Sequence, residues 1–140
     1  MILLDTNVIS AMTHSLVDPV LKRWLDQQFE EAVWTTSVTV FEIEFGLAVM
    51  PSGRKQIELR RSWDIVRVVE LKERVVSFDD AAARAAAALA GSRKRLGTTM
   101  EIRDTQIAGI ALAHGATLAT RNMRHFRDLD TPVVDPWGAA

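Results

Sequence analysis

The 140-residue sequence contains no cysteine, which excludes disulfides, thiolate chemistry and Cys-based zinc sites. No uninterrupted apolar stretch approaches the roughly 18 residues needed to cross a bilayer, so no membrane association is expected. Only a short apolar run, Ile2–Leu4, stands between Met1 and Asp5, with no basic leader. A secretory signal is therefore not expected, and a cytoplasmic protein is. An excess of positive charge is missing too. The formal net charge is −1, whereas non-specific phosphate binding requires clustered Lys and Arg. Basic residues do cluster locally, in Arg93-Lys94-Arg95 and in Arg121, Arg124 and Arg127, so a balanced total can hide a bipolar surface. Each cluster reads equally well as a solvated helix face.

What is present is ordinary globular material, 48% apolar and 25% charged, long enough for one domain with one core. Met1–Leu4, Ala32–Thr36, Val75–Ser77, Thr117–Thr120 and Val133–Val134 are short β-rich runs. Between them the pattern predicts helices over Val8–Thr13, Asp18–Phe29 with Pro19 in the first turn, Ser37–Met50 capped by Ser37, and Arg54–Trp63. An Ala-rich helix is expected after Asp79 or Asp80 up to Leu96, with Gly97 as its stop, and another over Arg103–His114 ending at Gly115. The stretch from Val66 to Phe78 is ambiguous. Short strands alternating with helices imply an α/β fold with a mainly parallel sheet covered on both faces. The ligand site of such a sheet lies outside the carboxyl ends of its strands, where the strand order reverses.

Acids occur where acids are costly. Asp5 follows directly on Ile2-Leu3-Leu4, at the carboxyl end of the expected central strand, although Asp5 or Asn7 could equally cap the next helix. Val38, Phe41, Phe45 and Val49 are spaced as a buried helical stripe, and Glu42 falls on it. Glu44 lies roughly 200° around and should face water. An ionised Glu42 on an apolar face calls for a metal or for a salt bridge to a nearby Arg. Asp104 leads a second stripe formed by Ile107, Ala108, Ala111 and Leu112, in a first turn where the helix dipole also favours an acid. Asn122 follows the Thr117–Thr120 run; it is either a plain turn residue or a neutral ligand for a metal or its water. Carboxylates converging without His or Cys suit Mg²⁺ or Mn²⁺, and hence metal-assisted phosphodiester hydrolysis, with one ion or with two about 4 Å apart.

The same residues carry a resemblance. Met1-Ile2-Leu3-Leu4-Asp5-Thr6-Asn7-Val8-Ile9-Ser10 resembles the start of PIN domains, especially VapC-type toxins and FitB-like proteins. Ser37-Val38-Thr39-Val40-Phe41-Glu42-Ile43-Glu44-Phe45-Gly46 is similar to their second motif, and Ile102-Arg103-Asp104-Thr105-Gln106-Ile107-Ala108 to the third. Ala119-Thr120-Arg121-Asn122-Met123-Arg124-His125-Phe126 resembles the fourth, and Val134-Asp135-Pro136-Trp137 the FitB-type ending. The four motifs span the chain in order. They imply a single PIN domain over residues 1–140, a three-layer α/β/α fold around a central, mainly parallel sheet of about five short strands, and a homodimer. They further imply an endoribonuclease toxin dependent on Mg²⁺ or Mn²⁺, held inactive by a cognate VapB-like antitoxin, with DNA contacted only through that partner.

The resemblance makes Asp5, Glu42, Asp104 and Asn122 the catalytic set. Asp5 and Asp104 are the expected metal ligands, and Glu42 and Asn122 further ones, partly through water. Thr6, Asn7, Thr120 and Arg121 are expected to orient carboxylates or touch substrate. Many relatives carry Asp where this chain has Asn122, and others place a further acid at the position of His125, so the lost charge weakens a second metal subsite. Two other readings stand beside this one. Asn122 favours a PIN-fold binding or regulatory module with impaired catalysis. A phosphatase using Asp5 as nucleophile would want a second acid where Asn7 stands. His14, His114 and His125 share no ligand spacing and read as surface or helix-end residues. Trp24, Trp34, Trp63 and Trp137 are scattered as in a core or dimer contact rather than a base-stacking platform.

Overall fold

A computed structural model describes residues 1–98 and 100–138; residues 99, 139 and 140 of the expected domain lie outside the described residues. Strand β1 (Ile2–Leu4) leads into helix α1 (Thr6–Met12), then α2 (Pro19–Asp26), β2 (Val33–Thr36), α3 (Ser37–Val49) and α4 (Arg54–Ile65). After β3 (Val75–Val76) come α5 (Asp80–Arg95), α6 (Ile102–His114), β4 (Thr117–Ala119) and β5 (Val133–Val134). The five strands form one sheet in the order β3-β2-β1-β4-β5, every pair parallel. This is the expected three-layer α/β fold.

Alternation along each strand builds the layers. Leu3 and Leu118 point to one face, where they pack with Ile107 and Ile110 of α6 and Ala82 of α5. Leu4 and Ala119 point to the other, among Val8, Leu21, Leu47 and Trp63. In register, Leu3 of β1 sits between Trp34 of β2 and Leu118 of β4. The α5–α6 layer is tight because its contact is made of small residues. A Cβ placed on Gly109 would meet the Ala82 carbonyl oxygen at 2.5 Å and the Ala86 Cβ at 2.6 Å. No helix among the described residues is long and apolar enough to cross a membrane.

Two local expectations need correction, and one ambiguous segment takes a definite form. Thr36, not Ser37, caps α3, accepting from the Thr39 N–H, while the Ser37 hydroxyl accepts from the Phe78 N–H of the neighbouring connection. The ambiguous segment contains a π-helical turn, Val66–Glu70, continuing α4, a wide turn that no side-chain period announces. Most consequentially, only the first residue of the expected α3 stripe is buried. Val38 lies in the core, whereas Phe41, Phe45 and Val49 are 59%, 52% and 65% exposed, and α3 buries Thr39 and Leu47 beside Val38. Its apolar residues run around most of the helix, so spacing alone could not choose the inward face.

Candidate active site

Strand order reverses at β1, where the chain leaves toward β2 and returns to the other side through β4. Asp5 and Thr120, the residues following those two strands, flank that point. The Asp5 N–H donates to the Ala119 carbonyl at 2.9 Å, extending the β1–β4 ladder by one residue, so the Asp5 side chain is fixed by sheet geometry. Asp5 stands at the strand end and caps the next helix at once. One carboxylate oxygen caps α1 by accepting from the Thr6 N–H at 2.8 Å. The other accepts from the Thr120 hydroxyl at 2.7 Å and from the Asn7 amide at 3.2 Å. Asn7 in turn accepts from the Arg121 N–H at 3.1 Å, tying the loop after β4 to the start of α1.

Thr6 reaches the opposite way, donating to Glu42 Oε1 at 2.8 Å, with the Thr39 hydroxyl 3.0 Å away. Thr39 and Glu42 are three residues apart on α3 and so share a face, a spacing visible in the sequence. Asp104 enters from the first turn of α6, whose cap is the Glu101 side chain. His125 places Nδ1 3.2 Å from Asp104 Oδ2. It is therefore more than the surface residue its spacing suggested, and only the resemblance, which put an acid at this position, pointed to it.

Charge in this region is poorly compensated. Burial pushes the Asp5 carboxyl above the ordinary aspartate range despite its bonds from Thr120 and Thr6, and the Asp104 charge adds to the rise. Burial likewise raises Glu42 against the lowering effects of Thr6 and Arg103, with Asp5 and Glu101 pushing it further up. Asp104 is raised by burial, relieved in part by His125, and raised again by Glu101 and Glu42. Three acids from three elements thus feel one another. The Arg that stands near Glu42 is Arg103, 3.8 Å away and 39% exposed. It makes a closer pair, at 3.0 Å, with Glu101. Neither Glu101 nor Arg103 was singled out beforehand.

The remaining expected residues are placed less centrally. Asn122 is exposed and joins the network by its backbone, its N–H donating to the Thr120 hydroxyl at 3.0 Å. The Arg121 guanidinium lies over the Trp137 ring, 3.8 Å from its centre, a cation–π contact rather than an arm held toward the acids. The Arg93-Lys94-Arg95 cluster is not a uniform solvated face. Arg93 is 4% exposed and pairs with both Asp128 oxygens, at 2.7 and 2.6 Å. Glu44, expected to face water, binds Arg60 and the Trp63 indole. A roomier cavity of about 730 Å³ opens at the amino ends of the strands beside Val33, Leu71 and Glu70. It holds none of the three acids, and residue chemistry argues for the opposite edge.

The donor set can be tested against a divalent ion. Among the described residues, no three His, Asp or Glu side chains stand close enough to ligate one ion between them, so this is not an all-protein cage. It fits an ion that keeps several waters and takes one or two carboxylates, as Mg²⁺ and similar hard cations do. The raised carboxyls supply the uncompensated negative charge that such an ion would neutralise.

Known proteins resemble this chain in sequence and fold. A family profile described as PIN domain matches residues 2–132. The plasmid stability protein StbB of Pseudomonas syringae pv. tomato is 37% identical over 139 residues, covering 99% of this chain and 100% of that protein. The VapC ribonuclease Y4jK of Sinorhizobium fredii is 35% identical over 140 residues, with 100% of both chains covered. A solved structure of FitAB bound to an IR36 DNA fragment matches at a TM-score of 0.88 and 31% identity, covering 100% of this chain and 98% of that one.

Proposed function

The chain belongs to the PIN-domain family, and on that premise we propose that it is a metal-dependent endoribonuclease, the toxin of a toxin–antitoxin pair. The observation that supports this reading is that Asp5, Glu42 and Asp104, from three different elements, are each raised by burial and further by the charge of acidic neighbours. Asp5 and Asp104 would hold Mg²⁺ or Mn²⁺, with Glu42 and Asn122 contributing partly through water. Bound there, such an ion would neutralise charge on the scissile phosphate and acidify a water for attack.

The chain's own residues do the rest. Thr120, Asn7 and the Thr6 N–H fix both Asp5 oxygens, so the carboxylate is oriented before substrate arrives. Thr6 holds Glu42 Oε1, and Oε2, 3.8 Å from the Arg103 guanidinium, would accept the proton of the attacking water. Arg121 contributes its backbone N–H to Asn7, and its exposed side chain would contact a substrate phosphate on leaving Trp137.

A VapB-like antitoxin is the proposed regulator, supported by the similarity to FitAB, a pair solved on DNA. DNA would then be contacted through that partner. A homodimer is proposed from the Phe41 and Phe45 rings, which stack on each other 6.0 Å apart and are 59% and 52% exposed. The proposed setting is the cytoplasm.

The test is cleavage of single-stranded and structured RNA by purified protein with Mg²⁺ or Mn²⁺. Asp5→Asn and Asp104→Asn should each lower the rate on the order of 10²–10⁴-fold. Cleavage that survives both substitutions would refute the assignment. No cleavage of any RNA would favour a PIN-fold regulatory module without catalysis, the reading that the neutral Asn122 supports.

A further inference from the structure

His125 is positioned more firmly than an exposed side chain needs to be. It lies on the 3-10 turn Met123–Phe126, which is pinned from below. Phe126 is 1% exposed within the core, and the His125 carbonyl accepts from Arg93 Nη2 at 3.1 Å. Arg93 also grips Asp128, two residues beyond the turn, from its buried position. The turn thus presents the imidazole to Asp104 from a fixed base.

The separation of His125 Nδ1 from Asp104 Oδ2 is 3.2 Å, and that distance has two chemical meanings. It suits a hydrogen bond. It also suits an edge of a coordination shell, since two donors each about 2.1 Å from one ion and at right angles lie roughly 3.0 Å apart. The rest of the neighbourhood offers only oxygen, and Asn122 at the head of the same turn is neutral. An ion on Asp104 therefore meets less negative charge than an all-carboxylate site would provide, and has one nitrogen within reach.

We propose that His125 joins Asp104 as a direct ligand of the divalent ion, with Asp5 then reaching the ion through water, and that the imidazole nitrogen biases the site toward Mn²⁺ over Mg²⁺. Imidazole is a poorer partner for the hard Mg²⁺ ion than for first-row transition ions, which accept nitrogen readily. Ligation uses the Nδ1 lone pair, so the ring proton sits on Nε2. The inference rests on the proposed metal site and deepens it, by naming a chain-specific ligand and an ion preference.

The experiment uses the full chain without RNA. Mn²⁺ binding is followed by electron paramagnetic resonance, Mg²⁺ binding by competition against it, and ligand identity by ¹⁴N couplings in pulsed spectra. Wild type should show a directly bound nitrogen. His125→Ala should lose that coupling and reduce the Mn²⁺-over-Mg²⁺ preference about tenfold, while His125→Asp should restore Mg²⁺ binding without the nitrogen signal. Circular dichroism would verify that each variant folds. If Mn²⁺ binds and is lost in Asp104→Asn, but no ¹⁴N coupling is seen and His125→Ala keeps the preference, the imidazole only hydrogen-bonds to Asp104. The inference then fails while the metal site stands. If wild type binds neither ion, both fail together.

Discussion

Two aspartates in this protein live in opposite electrostatic worlds. Asp5 is 3% exposed, and every group that binds it is neutral: a hydroxyl, an amide and a backbone N–H. Asp128 is half exposed, yet it receives both arms of the buried Arg93 guanidinium. Their proton affinities diverge accordingly. Burial raises the Asp5 carboxyl, whereas the Arg93 bonds lower that of Asp128 more than its own burial raises it. Neutral donors orient a carboxylate without cancelling its charge; a guanidinium does both. The fold has supplied the counter-charge of one acid internally and left that of the other to come from solution.

Removing the internal counter-charge is the largest way to break this contrast. Arg93→Met keeps the stem's packing but deletes the charge, the two bonds to Asp128 and the bond to the His125 carbonyl. A cost of about 2–3 kcal/mol is expected, below the roughly 3–5 of a fully buried pair because half-exposed Asp128 can rehydrate. For a chain of this size that is a fall in Tm of roughly 8–12 °C, measurable by calorimetry. Hydrogen exchange should rise in residues 122–128 before it rises at Asp5, whose anchors lie in β1 and β4. Uniform exchange across both regions would mean that the clamp and the acid cluster are one cooperative unit.

The two regions also differed in how far the sequence disclosed them. Asp5 was legible because a strand end is a local feature: an apolar run stops and an acid follows. Asp104 was legible because α6 carries a clear inward stripe, and Ile107, Ala108 and Ala111 are indeed fully buried. Glu42 was found on a mistaken premise, since Phe41, Phe45 and Val49 face outward. An apolar residue left over for a partner looks the same in one chain's pattern as an apolar residue for the core. The Arg93–Asp128 clamp was illegible. Its members are 35 residues apart, and Arg93 sits in a run of three basic residues that reads as solvent-facing. Five strands and six helices could be anticipated because period and turn chemistry are local; ion pairs across the fold are not.

A smaller intervention loosens Asp5 without touching its charge. Thr120 is fully buried, and its hydroxyl donates to Asp5 while accepting from the Asn7 amide and the Asn122 N–H. Thr120→Val keeps the shape and removes all three contacts. Metal affinity should fall about 10–100-fold, the usual effect of losing a group that orients a ligand, and Thr120→Ser should recover most of it. An unchanged Mn²⁺ affinity in the Val variant would show that the remaining Asn7 and Thr6 contacts suffice to hold the carboxylate.

The finest probe compares the two acids by pH, and its sign differs between them. Asp128 has a folded pKa below its unfolded value, so its contribution is present above that unfolded value and is lost as pH falls through the folded one. Asp5 is the reverse. Its folded pKa lies above the unfolded one, so its contribution is full below the unfolded value and is lost as pH rises through the folded pKa. Above the folded pKa and without divalent ions, the Asp5 charge therefore weakens the fold. Asp5→Asn removes that penalty while keeping the helix cap, because Asn caps α1 about as well as Asp. The variant should melt above wild type in EDTA at pH 7, with the gap closing as pH drops toward 3.8, the ordinary aspartate value. Asp128→Asn should melt below wild type at pH 7 and converge with it in acid. Adding Mn²⁺ should raise wild type alone past Asp5→Asn, because only the wild-type carboxylate gains a counter-charge from the ion. Equal melting of wild type and Asp5→Asn in EDTA would mean that neutral hydrogen bonds already offset the buried charge, and that the two acids differ in partners but not in strain.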